Sequence, residues 1–369
     1  MKKTKCQLKQ DNCLSRESFH TLPNELMIDI LSRVPVKSLI RLKSVSKSFC
    51  SFIQNPIYAN LIHQSRWEPI IIGSPNLYQI DAKGTATQLY SIPYFQFSYS
   101  SKFCNGLICA LSYDDNSFRI CNPATQEIVK LPTMNLHSRD TLFEFGFDHR
   151  RREYKVLSWN YTFDCTVFTL GTQSWRTITS KRSNALRGNF LWSLCLKGKF
   201  YWWNDTKGTV ISFNLFSEKF ELIQGPKLKH GRVRTRYSLR PFELVGYLCL
   251  LDDHVLDIEP SFQWIIDMWK LRDNSRNGWV MMKSIILPCI GIDLQTPYCS
   301  QSGEIVIGIS CNGSKIIYLY SLLTHEVSVL KTSGVPSAVY TLVNHTENFV
   351  RYEGALASLN KIILKTSGS

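Results

Sequence analysis

The chain has 369 residues, room for one large domain and one small one. With 44% hydrophobic and 20% charged residues it is not a generally disordered chain, and its longest apolar runs, about eight residues, are too short for a membrane-crossing helix. The net charge of +14 points to an acidic partner (nucleic acid, anionic membrane or acidic protein) or to a basic surface kept for solubility.

Residues 1–20 read as a polar tail. The start is basic but no apolar core follows it, so it is not a signal peptide. Residues 21–66 read as a helical unit. Apolar residues at Leu22, Leu26, Met27, Ile30, Leu31 and Val34 recur at the spacing of one helix face. Thr21 is the expected N-cap, and Pro23 fits the first turn, where its missing N–H costs nothing. Pro35 stops the helix because it pushes Val34 out of the α region. A second helix carries Val36, Leu39, Ile40 and Val45, and a third carries Phe49, Phe52 and Ile53 before Asn55-Pro56. Three short helices cannot bury enough surface to stand alone, so their apolar stripes must face the rest of the chain or a partner.

The wording of this segment is specific. Leu22-Pro23, Ile30-Leu31-Ser32-Arg33, Pro35-Val36-Lys37-Ser38-Leu39 and Val45-Ser46-Lys47-Ser48 occur in register and resemble an F-box of the plant form. Phe49 stands where that family usually has tryptophan. The resemblance implies docking on the Skp-type adaptor of SCF ubiquitin ligases and, through it, on a cullin scaffold. The implied adaptor contacts are Leu22, Pro23, Leu26, Ile30, Leu31, Val34, Pro35, Leu39, Leu42, Val45 and Phe49.

From Trp67 helical periodicity gives way to short β-branched and aromatic runs separated by turn residues, the texture of an all-β domain over residues 67–365. A repeat appears when the hairpins are aligned. Landmarks at Asp81, Asn122, Leu170, Asn214, Leu271 and Ser321 lie 41, 48, 44, 57 and 50 residues apart. That is the period of a β-propeller, and it counts six blades. The run from Gly354 to Ile363 is expected to pair into the first blade and close the ring, removing exposed strand edges. Cys104-Asn-Gly-Leu-Ile-Cys109, Asn122-Pro-Ala-Thr125, Lys130-Leu-Pro132, Phe145-Gly-Phe-Asp-His149, Tyr154-Lys-Val156 and Ser174-Trp-Arg176 resemble the plant F-box-associated domain, a Kelch-like propeller family. Tyr352-Glu-Gly-Ala-Leu356 resembles its closing motif, with Gly354 in place of the usual serine.

Catalytic signatures do not emerge. Neither a nucleophile elbow nor a phosphate-binding glycine loop occurs, the eight histidines are scattered, and the twelve cysteines lack metal-ligand spacing. The cysteines read as buried, reduced thiols of a cytoplasmic or nuclear protein. Asp252-Asp253-His254 and Asp114-Asp115-Asn116 read as polar hairpin turns, because three adjacent strand residues cannot all face one point. Two basic clusters stand out: Arg150, Arg151 and Arg152 in a turn, and Lys227, Lys229, Arg232, Arg234, Arg236 and Arg240 in a long loop from Gly225 to Pro241. They are solvated surface or a recognition site for an acidic or phosphorylated protein. The expected role is a non-catalytic substrate receptor, without cofactor or metal, membrane or nucleic acid. An RNA-binding scaffold and a propeller enzyme with an unrecognised site remain as alternatives.

Overall fold

The computed structural model describes residues 22–34, 36–54, 68–73, 76–81, 83–92, 101–112, 114–134, 141–159, 165–178, 192–228, 233–258, 261–272, 278–287, 293–294, 298–299, 304–311, 314–334, 341–345 and 361–363. The chain falls into two compact units, residues 1–66 and 67–369.

The first unit holds α1 (Asn24–Ser32), α2 (Val36–Val45) and α3 (Lys47–Gln54). Pro23 occupies the N-cap of α1 rather than its first turn, and its carbonyl accepts the Met27 N–H at 3.1 Å. Its φ of −55° and ψ of 145° are those of an extended approach, which the pyrrolidine ring favours. Thr21, the expected cap, lies outside the described residues. The helix ends before Pro35, as expected: the Arg33 and Val34 N–H groups turn back to the Ile30 and Leu31 carbonyls at 3.1 and 3.2 Å. Ser46 caps α3 by accepting the Phe49 N–H on its hydroxyl at 3.1 Å. Helices α2 and α3 pack together, and Met27, Leu31, Leu39 and Ile53 are buried.

The second unit is a β-propeller built from six sheets. The first begins with β1 (Glu68–Gly73), β2 (Asn76–Ile80) and β3 (Ala86–Ser91). The second holds β4 (Lys102–Cys104), β5 (Leu107–Ser112), β6 (Ser117–Asn122) and β7 (Glu127–Lys130). The third holds β8 (Leu142–Asp148), β9 (Glu153–Trp159), β10 (Cys165–Thr169) and β11 (Arg176–Ile178). The fourth holds β12 (Ser193–Leu196), β13 (Lys199–Asn204), β14 (Thr209–Asn214) and β15 (Lys219–Gln224). The fifth holds β16 (Val233–Leu244), β17 (Tyr247–Ile258), β18 (Ser261–Leu271) and β19 (Trp279–Leu287). The sixth holds β20 (Asp293–Leu294), β21 (Tyr298–Cys299), β22 (Glu304–Cys311), β23 (Ser314–Ser321) and β24 (Val327–Leu330). Two further strands, β25 (Thr341–His345) and β26 (Lys361–Ile363), return to the start: β25 pairs with β1 and β26 with β7, both antiparallel.

This corrects two expectations. Five blades, those of the second to sixth sheets, contain a full set of consecutive strands, not six. The first sheet is a composite: it has three consecutive strands and takes its fourth from β25. The closing strand is therefore residues 341–345, whereas the 354–363 run supplies β26 at the outer edge of the second sheet. The difference is one of reach, because β25 lies 11 residues after β24 and can return to the inner edge of the next sheet directly.

Sheet packing follows from the sequence texture. Every residue of Leu107–Ser112 is buried, as a strand must be when neighbouring blades cover both faces. Apolar clusters fill each junction between successive sheets, from Leu77 against Ile108 at the first and second to Ile80 against Val306 at the first and sixth. Four turns, three of them outer and one (β8/β9) inner, share one geometry. Asn122, Asp148, Asn214 and Ser321 each accept a backbone N–H on the side chain, and the residue four positions later (Gln126, Arg152, Glu218, His325) has φ between 54° and 61°. A short polar side chain that closes its own turn makes this possible.

Candidate functional site

Three places in the molecule bear on function. The first is the surface of α1. Leu22, Leu26 and Ile30, four residues apart, form an exposed apolar row with exposures of 40%, 51% and 48%. Pro23 and Val45 are also exposed, and Val34, Leu42 and Phe49 are half-buried. Leu31 and Leu39 are buried, at 2% and 0%, so these two belong to the packing of the unit and not to its surface. They fall on the inner side because one helix stripe cannot point both ways; the expected face splits into an inner row (Met27, Leu31) and an outer one. Pro35 lies outside the described residues. The amphipathic exposed row can bury against a complementary apolar groove.

The second place is the set of hairpin turns on one side of the third, fourth and fifth sheets. Arg150, Arg151 and Arg152 are exposed there, in the β8/β9 turn, as expected. Asp148 shapes this turn: its Oδ1 accepts the Arg150 and Arg151 N–H groups at 3.0 and 3.3 Å. Beneath it Lys155, 1% exposed, donates to the Leu215 carbonyl at 2.7 Å and to Glu218 at 3.0 Å, and lies 3.6 Å from Asp148. This buried ammonium ties the β14/β15 turn to the β8/β9 turn and seats Phe216 under the arginines. Arg176 completes the group by binding Glu218. Burial alone would raise the Glu218 pKa, but the hydrogen bonds from Arg176 and Lys155 outweigh it and hold the carboxyl below its ordinary value.

The second half of the other basic cluster is strand, not loop. From Val233 the backbone is β16, paired to β17 with a register shift between Arg234 and Leu239. Arg240 is 2% exposed and ion-paired with the buried Asp253, so it is no part of a recognition surface. The strand forms because Leu239, Phe242 and Leu244 have apolar neighbours to fill, which outweighs the mutual repulsion of the charges around them. Lys227 is exposed; Lys229, Arg232 and the side chains of Arg234 and Arg236 lie outside what is described.

The third place was missed by sequence reasoning. Asp252-Asp253-His254 is not a turn but the middle of β17. Residues two apart on a strand share a face, so Asp252 and His254 point the same way while Asp253 points to the other. Asp267 on β18 pairs with Asp252, and ligand atoms of Asp252, His254 and Asp267 lie within 4.8 Å of one another. The Ser284 hydroxyl donates to Asp267 at 2.5 Å. One imidazole and two carboxylates suit a divalent cation. All three are at most 1% exposed, on the face of β17 and β18 that carries Leu248, Leu250 and Trp269 toward the fourth sheet. The i, i+2 spacing inside an apolar run was the signal that could have found them. Burial also raises the pKa of the Cys109 and Cys121 thiols, and pushes Cys249 to about 12, so these three are held in the neutral form. Among the described residues no helix is long and apolar enough to cross a membrane.

Comparison with known proteins agrees with this architecture. Residues 71–353 match the model of the F-box associated beta propeller domain, and residues 19–59 match that of the F-box domain. An F-box protein of Arabidopsis thaliana is 27% identical over 302 residues, covering 71% of each chain. Another from the same plant is 24% identical over 383 residues, covering 89% of this chain and 90% of its own. Among solved structures, a chain of the nidogen/laminin complex is 9% identical with a TM-score of 0.50 over 75% of this chain and 97% of its own, a likeness of fold alone. With short F-box helices followed by an F-box-associated propeller, the chain belongs to the F-box proteins of the plant F-box-associated β-propeller family.

Proposed function

We propose that this protein is a substrate-recognition subunit of an SCF-type ubiquitin ligase. Its helical unit holds a Skp-type adaptor, and through it a cullin scaffold, while its propeller holds a protein substrate. It performs no covalent chemistry; it raises the local concentration of substrate beside a conjugating enzyme, in the cytoplasm or nucleus. One observation carries the reading: within the segment that matches an F-box, Leu22, Leu26 and Ile30 form an apolar row that the packing of the helices leaves about half exposed. The implied contacts are this row with Pro23 and Val45, flanked by the half-buried Val34, Leu42 and Phe49.

The test is a reconstitution. Purified chain, mixed with a Skp-type adaptor and its cullin, is expected to elute as one complex in gel filtration. Replacing Leu22 and Pro23 by alanine is expected to release the adaptor while the far-ultraviolet dichroism of the propeller stays unchanged. An adaptor that never co-elutes with the intact chain overturns the reading.

A further inference from the structure

We propose that the hairpin turns of the third, fourth and fifth sheets form one anion-binding strip that takes a phosphorylated segment of a protein partner. The proposal deepens the receptor reading and rests on it only for the partner being a substrate.

The strip begins at Phe216. The guanidinium carbons of Arg150 and Arg151 lie 4.9 and 4.8 Å from the centroid of its ring. One ring thus holds two like charges together at the surface. The carboxylates around them are already engaged. Asp148 serves the turn backbone and Lys155, and Glu218 binds Lys155 and Arg176. Among the described residues neither arginine meets a carboxylate.

The same construction recurs one sheet further. Lys197 and Gly198 form the β12/β13 turn, and a Cβ on Gly198 would lie 3.6 Å from the Phe147 carbonyl and 3.9 Å from the His149 ring, so this turn abuts the arginine turn. A Cβ on Gly246, in the β16/β17 turn, would lie 3.5 Å from the Lys197 ammonium. The Lys197 and Lys270 ammonium groups sit 5.9 and 3.3 Å from the ring centroid of Tyr247. Again two cations share one aromatic ring, with Glu243 the nearby carboxylate that feels Lys197. Val245, in the same β16/β17 turn as Gly246, is 74% exposed and held at φ 49°. A β-branched residue pays strain for that conformation, and such strain persists where the surroundings impose it.

The chemistry selects the partner. Paired guanidinium forks match the charge and the three acceptor oxygens of a phosphate monoester, whereas a carboxylate offers one charge and two oxygens. Nucleic acid fits less well. A single-strand groove needs aromatic faces open for base stacking, and here cations already cover Phe216 and Tyr247.

The experiment uses the full chain in complex with its adaptor. Fluorescence anisotropy follows three degenerate peptide libraries identical except for a fixed central phosphoserine, glutamate or serine, with polyuridylate as competitor. The phosphoserine library is expected to bind about tenfold tighter than the glutamate library, as two charge-assisted bonds require. Arg150→Gln with Arg151→Gln is expected to lose about tenfold, and Lys197→Gln with Lys270→Gln severalfold, at unchanged melting temperature. The turn survives the first pair because Asp148 holds main-chain N–H groups, not the guanidiniums. Equal binding of phosphoserine and glutamate libraries, no binding of the former, binding unaltered by the arginine pair, or displacement by polyuridylate as effective as by phosphopeptide each overturns the proposal. Adaptor retention, read on the same samples, reports separately on the receptor reading.

Discussion

At the scale of single residues, burial decides what a charge can do. Arg150 and Arg240 are the same residue type in equally basic neighbourhoods of the sequence, yet one lies over Phe216 in solvent and the other is sealed beside Asp253. Breaking the second pair by Asp253→Ala leaves a buried guanidinium uncompensated and is expected to cost about 3–5 kcal/mol, read as a lowered denaturant midpoint. Glu218 gives a pH signature. Its carboxyl pKa is lowered in the fold, so its stabilisation is present above the unfolded-state value and is lost as pH falls through the folded value. The melting temperature of Glu218→Gln is therefore expected to fall less steeply than that of the parent between about pH 5 and pH 3. Equal slopes would show that the Lys155–Glu218–Arg176 group does not contribute. Gly225 is a steric requirement: a Cβ there would meet the Gly208 carbonyl oxygen and the Trp203 ring, both at 2.5 Å. Gly225→Ala is expected to destabilise by about 1–3 kcal/mol, because the backbone atom cannot step aside as a side chain could.

Elements show how a periodic pattern divides between core and surface. In α1 the row Leu22, Leu26, Ile30 is exposed while Met27 and Leu31 are buried, so the two rows should answer differently to truncation. Leu26→Ala with Ile30→Ala removes about half a buried side chain's worth of area each on docking, roughly 2 kcal/mol together, or about thirtyfold in adaptor affinity. Isothermal titration should show that loss with no change in melting temperature. Leu39→Ala, by contrast, opens a cavity and is expected to cost about 2–5 kcal/mol of stability. In the propeller the inner hairpins of three sheets turn through Asn105-Gly106, Lys197-Gly198 and Val245-Gly246, with φ positive at both residues of each pair. That is the two-residue turn whose twist matches the strands, and Asn-Gly is its best sequence. Val245→Asn is expected to raise the melting temperature by relieving strain without touching the flanking strands.

For the whole molecule, the decisive event is closure. The edge strands follow one another around the propeller, β4 beside β8, β8 beside β12, β12 beside β16 and β16 beside β21, and β25, which completes the first sheet by pairing with β1, lies beside β4. Lys102 on β4 binds Glu144 on β8 and Ser193 on β12, each at 3.0 Å, pinning three of these strands in place. A chain ending at residue 334 lacks β25 and leaves β1 with an open edge, so it is expected to aggregate. A chain ending at residue 353 keeps β25 and is expected to elute as a monomer in gel filtration. Should the shorter chain also be monomeric, β25 is not what closes the ring. The +14 charge finds part of its explanation at this scale, since exposed arginines and lysines of separate sheets gather on neighbouring turns.

Local patterns were legible because local physics produces them. The α1 stripe, the stop before Pro35, the all-β texture and the outer turns at Asn122, Asn214 and Ser321 are set by side-chain period, proline geometry and turn chemistry within a few residues, the last by the polar side chains that close those turns. What tertiary structure alone decided involves distance along the chain. Residues 341–345 take the open edge of the first sheet and 361–363 that of the second, each pairing with a strand more than 200 residues earlier. Whether Leu31 faces a partner or the interior depends on which side of a helix its neighbours occupy. Arg240 became a core residue only because β17 lay alongside with Asp253, and Asp252 met Asp267 only through strand register. Phe216 beneath Arg150 and Arg151 joins turns of two sheets about 65 residues apart, held there by one buried lysine, and no window along the chain contains both.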